Sequence, residues 1–457
     1  MVGDTPQVDS PSLTVIGGGL AGCEAAWQAA AFGCRVRLFE MRPQKTTPAH
    51  ETGFLAELVC SNSFRSDDGS SAVGLLKEEM RQLDSLIMVA AQLHRVPAGK
   101  ALAVDRAKFA QYITEAISAH PLITVIKQEV VEIPDLSTVT AQNPVILATG
   151  PLTSDPMAQS LGRLTGQKQL SFYDAIAPII VTDSVDKAVI YQASRYDDGP
   201  GDYLNCPMNR EEYEVFITAM KEAQTVPLKS FEDKNYFEGC LPIEVMVERG
   251  DDTPRFGPMK PVGLPDPRTG RDPYAVVQLR FENQEGSHVN MVGFQTKLTY
   301  AEQKRVFTLI PGLKNAEFSR LGSIHRNTFI CAPELLDEHL LFKGSNGLFI
   351  AGQLSGVEGY VESTAMGLIA GINAASLMHG YELKALPPET AHGALMHHLT
   401  QAEAKRFQPS NVNFGLFPAI GKKMPKRLRG EYRAEKAVQS FSLWKESNQI
   451  FKQRSGA

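Results

Sequence analysis

Cysteine is scarce in this chain: six occur in 457 residues, and none forms a C-x-x-C pair. That sparsity excludes a disulfide framework, and free thiols point to a reducing compartment in which one of them can act as a nucleophile. No Cys/His spacing suits zinc, so no metal site is expected. Gly-x-Ser-x-Gly and a Walker A glycine-lysine loop are also missing, which removes the serine-hydrolase elbow and the P-loop. No apolar run approaches the ~18 residues of a membrane span. The first residues lack a charged segment followed by an apolar one, so no secretory signal is expected either. Internal repeats and low-complexity segments are absent. The expectation is a cytoplasmic protein that does not engage a membrane.

What remains is ordinary globular composition, 43% apolar and 21% charged, at a length that favours two to three domains. The net charge of −5 is unevenly placed. Residues 401–457 hold twelve Lys/Arg against four acids, a tail of +8 on a body of −13. Such a tail is either a footprint for phosphate backbones or a solvated helix face.

The chain opens on a nucleotide-binding pattern. Leu13–Ile16 reads as a buried strand, followed by Gly17-Gly18-Gly19-Leu20-Ala21-Gly22, which satisfies G-x-G-x-x-G. An alanine-rich helix over Ala21–Phe32 closes at Gly33, and Arg35–Phe39 supplies a second strand ending at Glu40. One glycine makes the tight turn, one admits a pyrophosphate to the backbone, and one lets helix and strand pack closely. Phosphates then meet the free N–H groups of the helix start, and Glu40, 18 residues after Gly22, is placed to accept from a ribose diol. Val145–Gly150 gives a third strand. Asn346–Gly352 runs as a strand into Gln353-Leu354-Ser355-Gly356, ahead of a small-residue helix over Glu362–Ala375. A second glycine turn feeding a second helix start suits the pyrimidine side of a flavin, so FAD fits better than NAD alone.

The fold expected is α/β: a Rossmann-like FAD-binding domain built from both ends of the chain, with a mixed α/β insertion domain. Residues 1–165 form its first part, 166–326 the insertion on the substrate side, 327–400 the second part, and 401–457 a basic C-terminal extension. Within the insertion, short apolar runs such as Ala177–Thr182, Ala188–Gln192 and Ala275–Arg280 alternate with turn residues.

Three cysteines sit in polar or turn-rich surroundings: Cys60, Cys206 and Cys240. Cys23, Cys34 and Cys331 read as packing. A glycine before Cys240 and a proline soon after leave it on a fixed turn beside Glu238 and Glu244. Those carboxylates would raise its pKa, so activation needs a cation or base from elsewhere in the fold. His50 and His325 either touch a cofactor or are structural, and the structural reading is the commoner one.

Several blocks together resemble a known family: Gly17–Gly22, Glu40-Met41-Arg42-Pro43, Glu57–Ser63, Val96-Pro97-Ala98-Gly99, Ala103-Val104-Asp105-Arg106, Tyr203–Met208, Phe237–Glu244, Arg255–Pro261, Gly293-Phe294-Gln295-Thr296, His325–Phe329 and Ala351–Ser363. They resemble the FAD-using methylenetetrahydrofolate–tRNA-(uracil-5-)-methyltransferases, from about residue 12 to about 416. The resemblance implies methylation of the T-loop uridine at tRNA position 54. The donor would be 5,10-methylenetetrahydrofolate, reduced FAD would give the hydride, and NADPH or NADH would reduce the flavin. It also implies that Cys240 is the thiolate that adds to uracil carbon 6 and Cys60 the base that takes the carbon 5 proton, while Cys206 stays as packing. The expected cofactor contacts are Gly17, Gly18, Gly19, Leu20, Ala21, Gly22, Glu40, Arg42, Gly150, Gly352 and Gln353. The partners expected are tRNA and the small-molecule cofactors, with no obligate protein partner.

Two other readings stay open. A related flavoprotein modifies the tRNA wobble uridine with a partner protein, but a longer chain with extra C-terminal helices would be expected. A flavin-bearing RNA-binding or chaperone-like protein would need neither Cys60 nor Cys240.

Overall fold

The computed structural model describes residues 11–47, 49–166, 170–197, 199–227, 241–425 and 428–454. Leu13–Ile16 is fully buried and becomes the middle of a five-stranded parallel sheet. The sheet runs in the order Leu348–Ile350, Val145–Leu147, Leu13–Ile16, Val36–Glu40, Ile123–Lys127. Apolar runs without alternation suit strands covered on both faces. The edge strand Leu348–Ile350 comes from far along the chain and pairs in parallel with Val145–Leu147, so one sheet unites segments some 200 residues apart.

Two helices lie together over this sheet, Leu20–Ala31 and Tyr360–Met378. Their contact is nearly backbone on backbone. A Cβ at Gly367 would stand 2.2 Å from the Ala21 carbonyl oxygen, and one at Gly371 would stand 2.4 Å from that of Ala25. Only glycine permits that approach, and it sets the start of Leu20–Ala31 against the second turn of Tyr360–Met378. The second helix has 19 residues and enough apolar character to cross a membrane by length and composition, but 89% of that stretch is buried inside the protein. It is the core helix of this domain.

The chain leaves and re-enters this domain through an antiparallel ribbon, Leu170–Ala175 against Ile324–Phe329. Beyond the ribbon lies a six-stranded antiparallel sheet with its own apolar core, which includes Cys206, Phe216, Val277, Phe294 and Phe307. A three-stranded sheet formed by Ser63–Ser66, Ala101–Val104 and Arg95–Val96 lies between.

The basic C-terminal residues pack against the first domain. The helix Arg429–Ser447 sends Ala437, Phe441 and Trp444 into the same core as the parallel sheet, with Phe441 stacked near the buried His392. Among nearby cations, Lys422 lies over the Tyr432 ring, Arg433 over Phe414, and Lys445 donates to the Gln82 oxygen.

Candidate active site

Both helix starts open onto one cavity of about 360 Å³. Gly19 caps the helix Leu20–Ala31 and Gly359 caps Tyr360–Met378, and neither N-terminus receives a side-chain hydrogen bond. Uncapped backbone N–H groups at two long helices leave two partial positive ends facing the same space. The first is shaped by close approach. Gly17 has φ of +109°, and a Cβ on Gly22 would lie 1.8 Å from the Gly17 carbonyl oxygen, while a Cβ on Gly19 would meet nothing within 4 Å.

Of the expected cofactor contacts, Gly17, Gly18, Gly19, Leu20, Ala21, Glu40, Arg42, Gly150, Gly352 and Gln353 line this cavity. Gly22 does not; it sits beneath the turn, against Gly17. Glu40 carries more than one duty. Its Oε2 accepts from the Gly18 N–H at 2.9 Å and from Arg42 Nη2 at 3.2 Å; its Oε1 accepts from Arg42 N–H at 2.9 Å and Nε at 2.8 Å. Burial opposes its charge, yet Arg42 outweighs burial and holds the carboxyl below its usual range. Arg42 is thereby fixed on Glu40 and reaches Glu57 at 3.2 Å.

Side chains make up the rest of the lining. Cys60 lies there, with its N–H on Tyr360 Oη at 2.7 Å and its Sγ reaching the Ala175 oxygen at 3.7 Å. From the ribbon come Asp174, His325 and Asn327. His325 and His50 both line the cavity, and burial pushes each down to about 4, helped by Arg320 and Arg42 respectively. Both are therefore neutral at pH 7. Gln353 donates to Glu358 Oε2 at 2.6 Å. Burial, reinforced by Asp174, Cys60 and Glu362, lifts the Glu358 carboxyl well above its ordinary range. Arg65 projects from a left-handed backbone position, φ +60°, and pairs with the buried Glu362.

Cys240 lies outside the described residues. Among those that follow it, Ile243 donates its N–H to the oxygen of Gln295, a cavity residue, at 2.8 Å. Glu244 is buried and accepts from Thr296 Oγ1 at 3.0 Å and from Lys297 N–H at 2.5 Å, and burial raises its pKa. The other cysteines are packed. Burial pushes Cys206 up to about 12 and Cys34 up to about 11, and takes Cys23 higher still. None of these three is a thiolate at neutral pH.

The cavity suits a dinucleotide carrying a flavin. Two uncapped helix ends supply donors for phosphate and for a ring edge, and Gly19 leaves open space where phosphate would lie. Asn327, 2% exposed, has an amide nitrogen with no hydrogen-bond partner among the described residues, and it lines the cavity. A buried donor left without a partner is costly unless a ligand meets it. Sequence reasoning missed Asn327, Asp174 and Glu358. The spacing of His325 and Asn327, two apart in a strand and hence on one face, was the signal available for the first.

Comparison with known proteins agrees with this reading of the fold. The family described as glucose inhibited division protein A matches residues 12–382. A Desulfotalea psychrophila protein named methylenetetrahydrofolate–tRNA-(uracil-5-)-methyltransferase TrmFO is 63% identical over 441 residues, covering 96% of this chain and 98% of its own. One of the same name from Geobacter sulfurreducens is 56% identical over 434 residues, 95% of this chain and 98% of its own. The crystal structure of Aquifex aeolicus GidA is similar in fold, with a TM-score of 0.67 over 98% of this chain and 76% of that one at 15% identity. The chain therefore belongs to the glucose inhibited division protein A family and, within it, to the TrmFO methyltransferases.

Proposed function

We propose that this protein methylates carbon 5 of the T-loop uridine, position 54, of tRNA, taking the one-carbon unit from 5,10-methylenetetrahydrofolate. The observation that carries the reading is the cavity in which two uncapped helix starts face Cys60. The relatives' shared name supplies donor, nucleic acid and atom.

In this reading the helix start at Gly19 binds the cofactor's phosphates and the one at Gly359 faces its ring. When bound and reduced by NADPH or NADH, FAD would be the source of the hydride that completes the methyl group. Cys240 adds to uracil carbon 6, which makes carbon 5 nucleophilic toward the folate methylene. Cys60 then takes the carbon 5 proton, the folate leaves, and the Cys240 thiolate departs after reduction. The uridine has to leave its stack to reach the cavity, at a cost of a few kcal/mol. Lys422, Lys423, Arg429 and Lys436, exposed near the C-terminal helix, hold tRNA phosphates. The reaction takes place in the cytoplasm, with no obligate protein partner.

The test is incubation of the flavin-loaded protein with unmodified tRNA, NADPH and methylenetetrahydrofolate labelled in its methylene group. Label in 5-methyluridine that depends on folate and is lost in Cys240→Ala is expected. Label confined to a wobble nucleoside, or none from a reducible flavoprotein, overturns the reading.

A further inference from the structure

The loop that carries Cys60 is anchored at four points within five residues. Arg106, at the start of the helix Arg106–Ala119, donates from Nη1 to the Leu58 oxygen and from Nη2 to the Cys60 oxygen, both at 3.1 Å. The Cys60 N–H is held by Tyr360 Oη at 2.7 Å. Two residues on, the Asn62 amide nitrogen donates to the oxygens of Val104 at 3.0 Å and Phe281 at 2.9 Å. Between these anchors Cys60 and Ser61 face the cavity.

Two of the anchors, Arg106 and Asn62, are in turn fixed by the insertion domain. Arg106 Nε lies 2.5 Å from Glu282 Oε2, with Nη2 at 3.2 Å from Oε1, a two-point guanidinium–carboxylate contact. Such forks fix orientation as well as charge. Glu282 directly follows the strand Ala275–Phe281, and Asn290 of the neighbouring strand bonds to its Oε1. Asn62 Oδ1 accepts from Arg280 Nε at 2.9 Å. Asn62, Glu282, Asn290 and Arg280 are all less than a tenth exposed. The thiol thus sits on a loop of the flavin-side domain but takes its position from a polar network on the second sheet.

We propose that Arg106 and Glu282, with Asn62, are positioning residues that set Cys60 against the substrate, so that docking of the insertion domain and aim of the thiol are one event. This rests on the reading of Cys60 as the base at uracil carbon 5. A base acts within a narrow range of reach, and a misplacement of about 1 Å can cost about a hundredfold in rate.

The experiment uses the full-length flavin-loaded protein and the variants Arg106→Lys, Glu282→Gln and Cys60→Ala. Lysine keeps the charge at 106 but cannot hold two carbonyls and a carboxylate together; glutamine keeps the shape at 282 and removes its charge. The readouts are kcat and KM for tRNA methylation, tritium release from uracil carbon 5, bound flavin, and the rate of Cys60 alkylation by iodoacetamide, followed on its own peptide. In both clamp variants kcat and tritium release are expected to fall by about tenfold or more, with KM for tRNA and bound flavin kept within about twofold. Cys60 alkylation should change by at least about threefold, because the loop is freed. Unchanged kcat and alkylation in both variants would overturn the proposal, as would loss of activity only in proportion to lost flavin. Tritium release undiminished in Cys60→Ala would instead sink the role given to Cys60, and the alkylation arm would still judge the clamp.

Discussion

On one side of the cavity the groups offered to a ligand are backbone donors at the starts of Leu20–Ala31 and Tyr360–Met378. On the other they are side chains, Cys60, Asp174, His325 and Asn327, drawn from a loop and a two-stranded ribbon. The backbone wall depends on what is missing, since a Cβ at Gly22 or Gly367 would collide with main chain. The side-chain wall depends on what is present and held, often from the far domain. The first kind of wall tolerates no added atom at Gly17, Gly22 or Gly367, whereas Gly19 has room for one. The second tolerates many changes in bulk but few in hydrogen-bonding chemistry.

Substitutions can push each wall separately. Gly367→Val should be the most damaging, since a Cβ 2.2 Å from the Ala21 oxygen forces the two helices apart. A loss of about 4 kcal/mol or more in urea unfolding is expected, with flavin lost in step. Phe441→Ala removes a ring from the same core without touching the cavity, so stability should drop by about 3 kcal/mol while turnover per bound flavin is unchanged. A change in turnover there would mean that the core and the side-chain wall are not separable.

Acid should weaken the fold through the two half-buried histidines that line the cavity. His50 and His325 stay neutral in the fold down to about 4, whereas the unfolded chain protonates them near 6.5. The unfolded state therefore binds more protons in that window. Stability should fall as pH drops from 6.5 toward 4 and be insensitive to these groups above it, by up to about 3 kcal/mol per histidine. His325→Gln should remove its share of that slope in urea unfolding at stepped pH. The smallest effect on stability belongs to Gly19→Ala, where a Cβ meets nothing within 4 Å. Unfolding of the flavin-free protein should move by less than about 0.5 kcal/mol, while FAD affinity falls by about tenfold, because the new methyl stands where phosphate would lie. Equal FAD affinity would place the phosphates elsewhere.

The backbone wall was legible because its information is local. Strand, glycine turn, helix, strand and acid follow in order within residues 13–40, and the observed elements match that order closely. The glycines at 367 and 371 were visible as small residues, but their reason, contact with Ala21 and Ala25, needs the fold. Glu40 was read as a ribose acceptor, and its chemistry was underestimated, because an arginine two residues later takes the same oxygens. The side-chain wall was mostly hidden. Asp174 and His325 meet only through the register of a ribbon whose strands lie 150 residues apart. The C-terminal segment misled through its charge. Its excess of lysine and arginine drew attention from Ala437, Phe441 and Trp444, whose helical spacing marks a buried stripe.

That buried stripe bears on how the protein is made. The parallel sheet and its helices cannot close until Leu348–Ile350, Tyr360–Met378 and Arg429–Ser447 have left the ribosome. The last strand of the six-stranded sheet, Phe318–Arg320, precedes all three in the chain. During synthesis Leu13–Ile16 can pair with Val36–Glu40 and Val145–Leu147, while the helix Leu20–Ala31 waits for Tyr360–Met378, more than 300 residues downstream. Flavin capture is consequently a late event, and a ribosome stalled before residue 348 would hold a folded insertion beside an open nucleotide half.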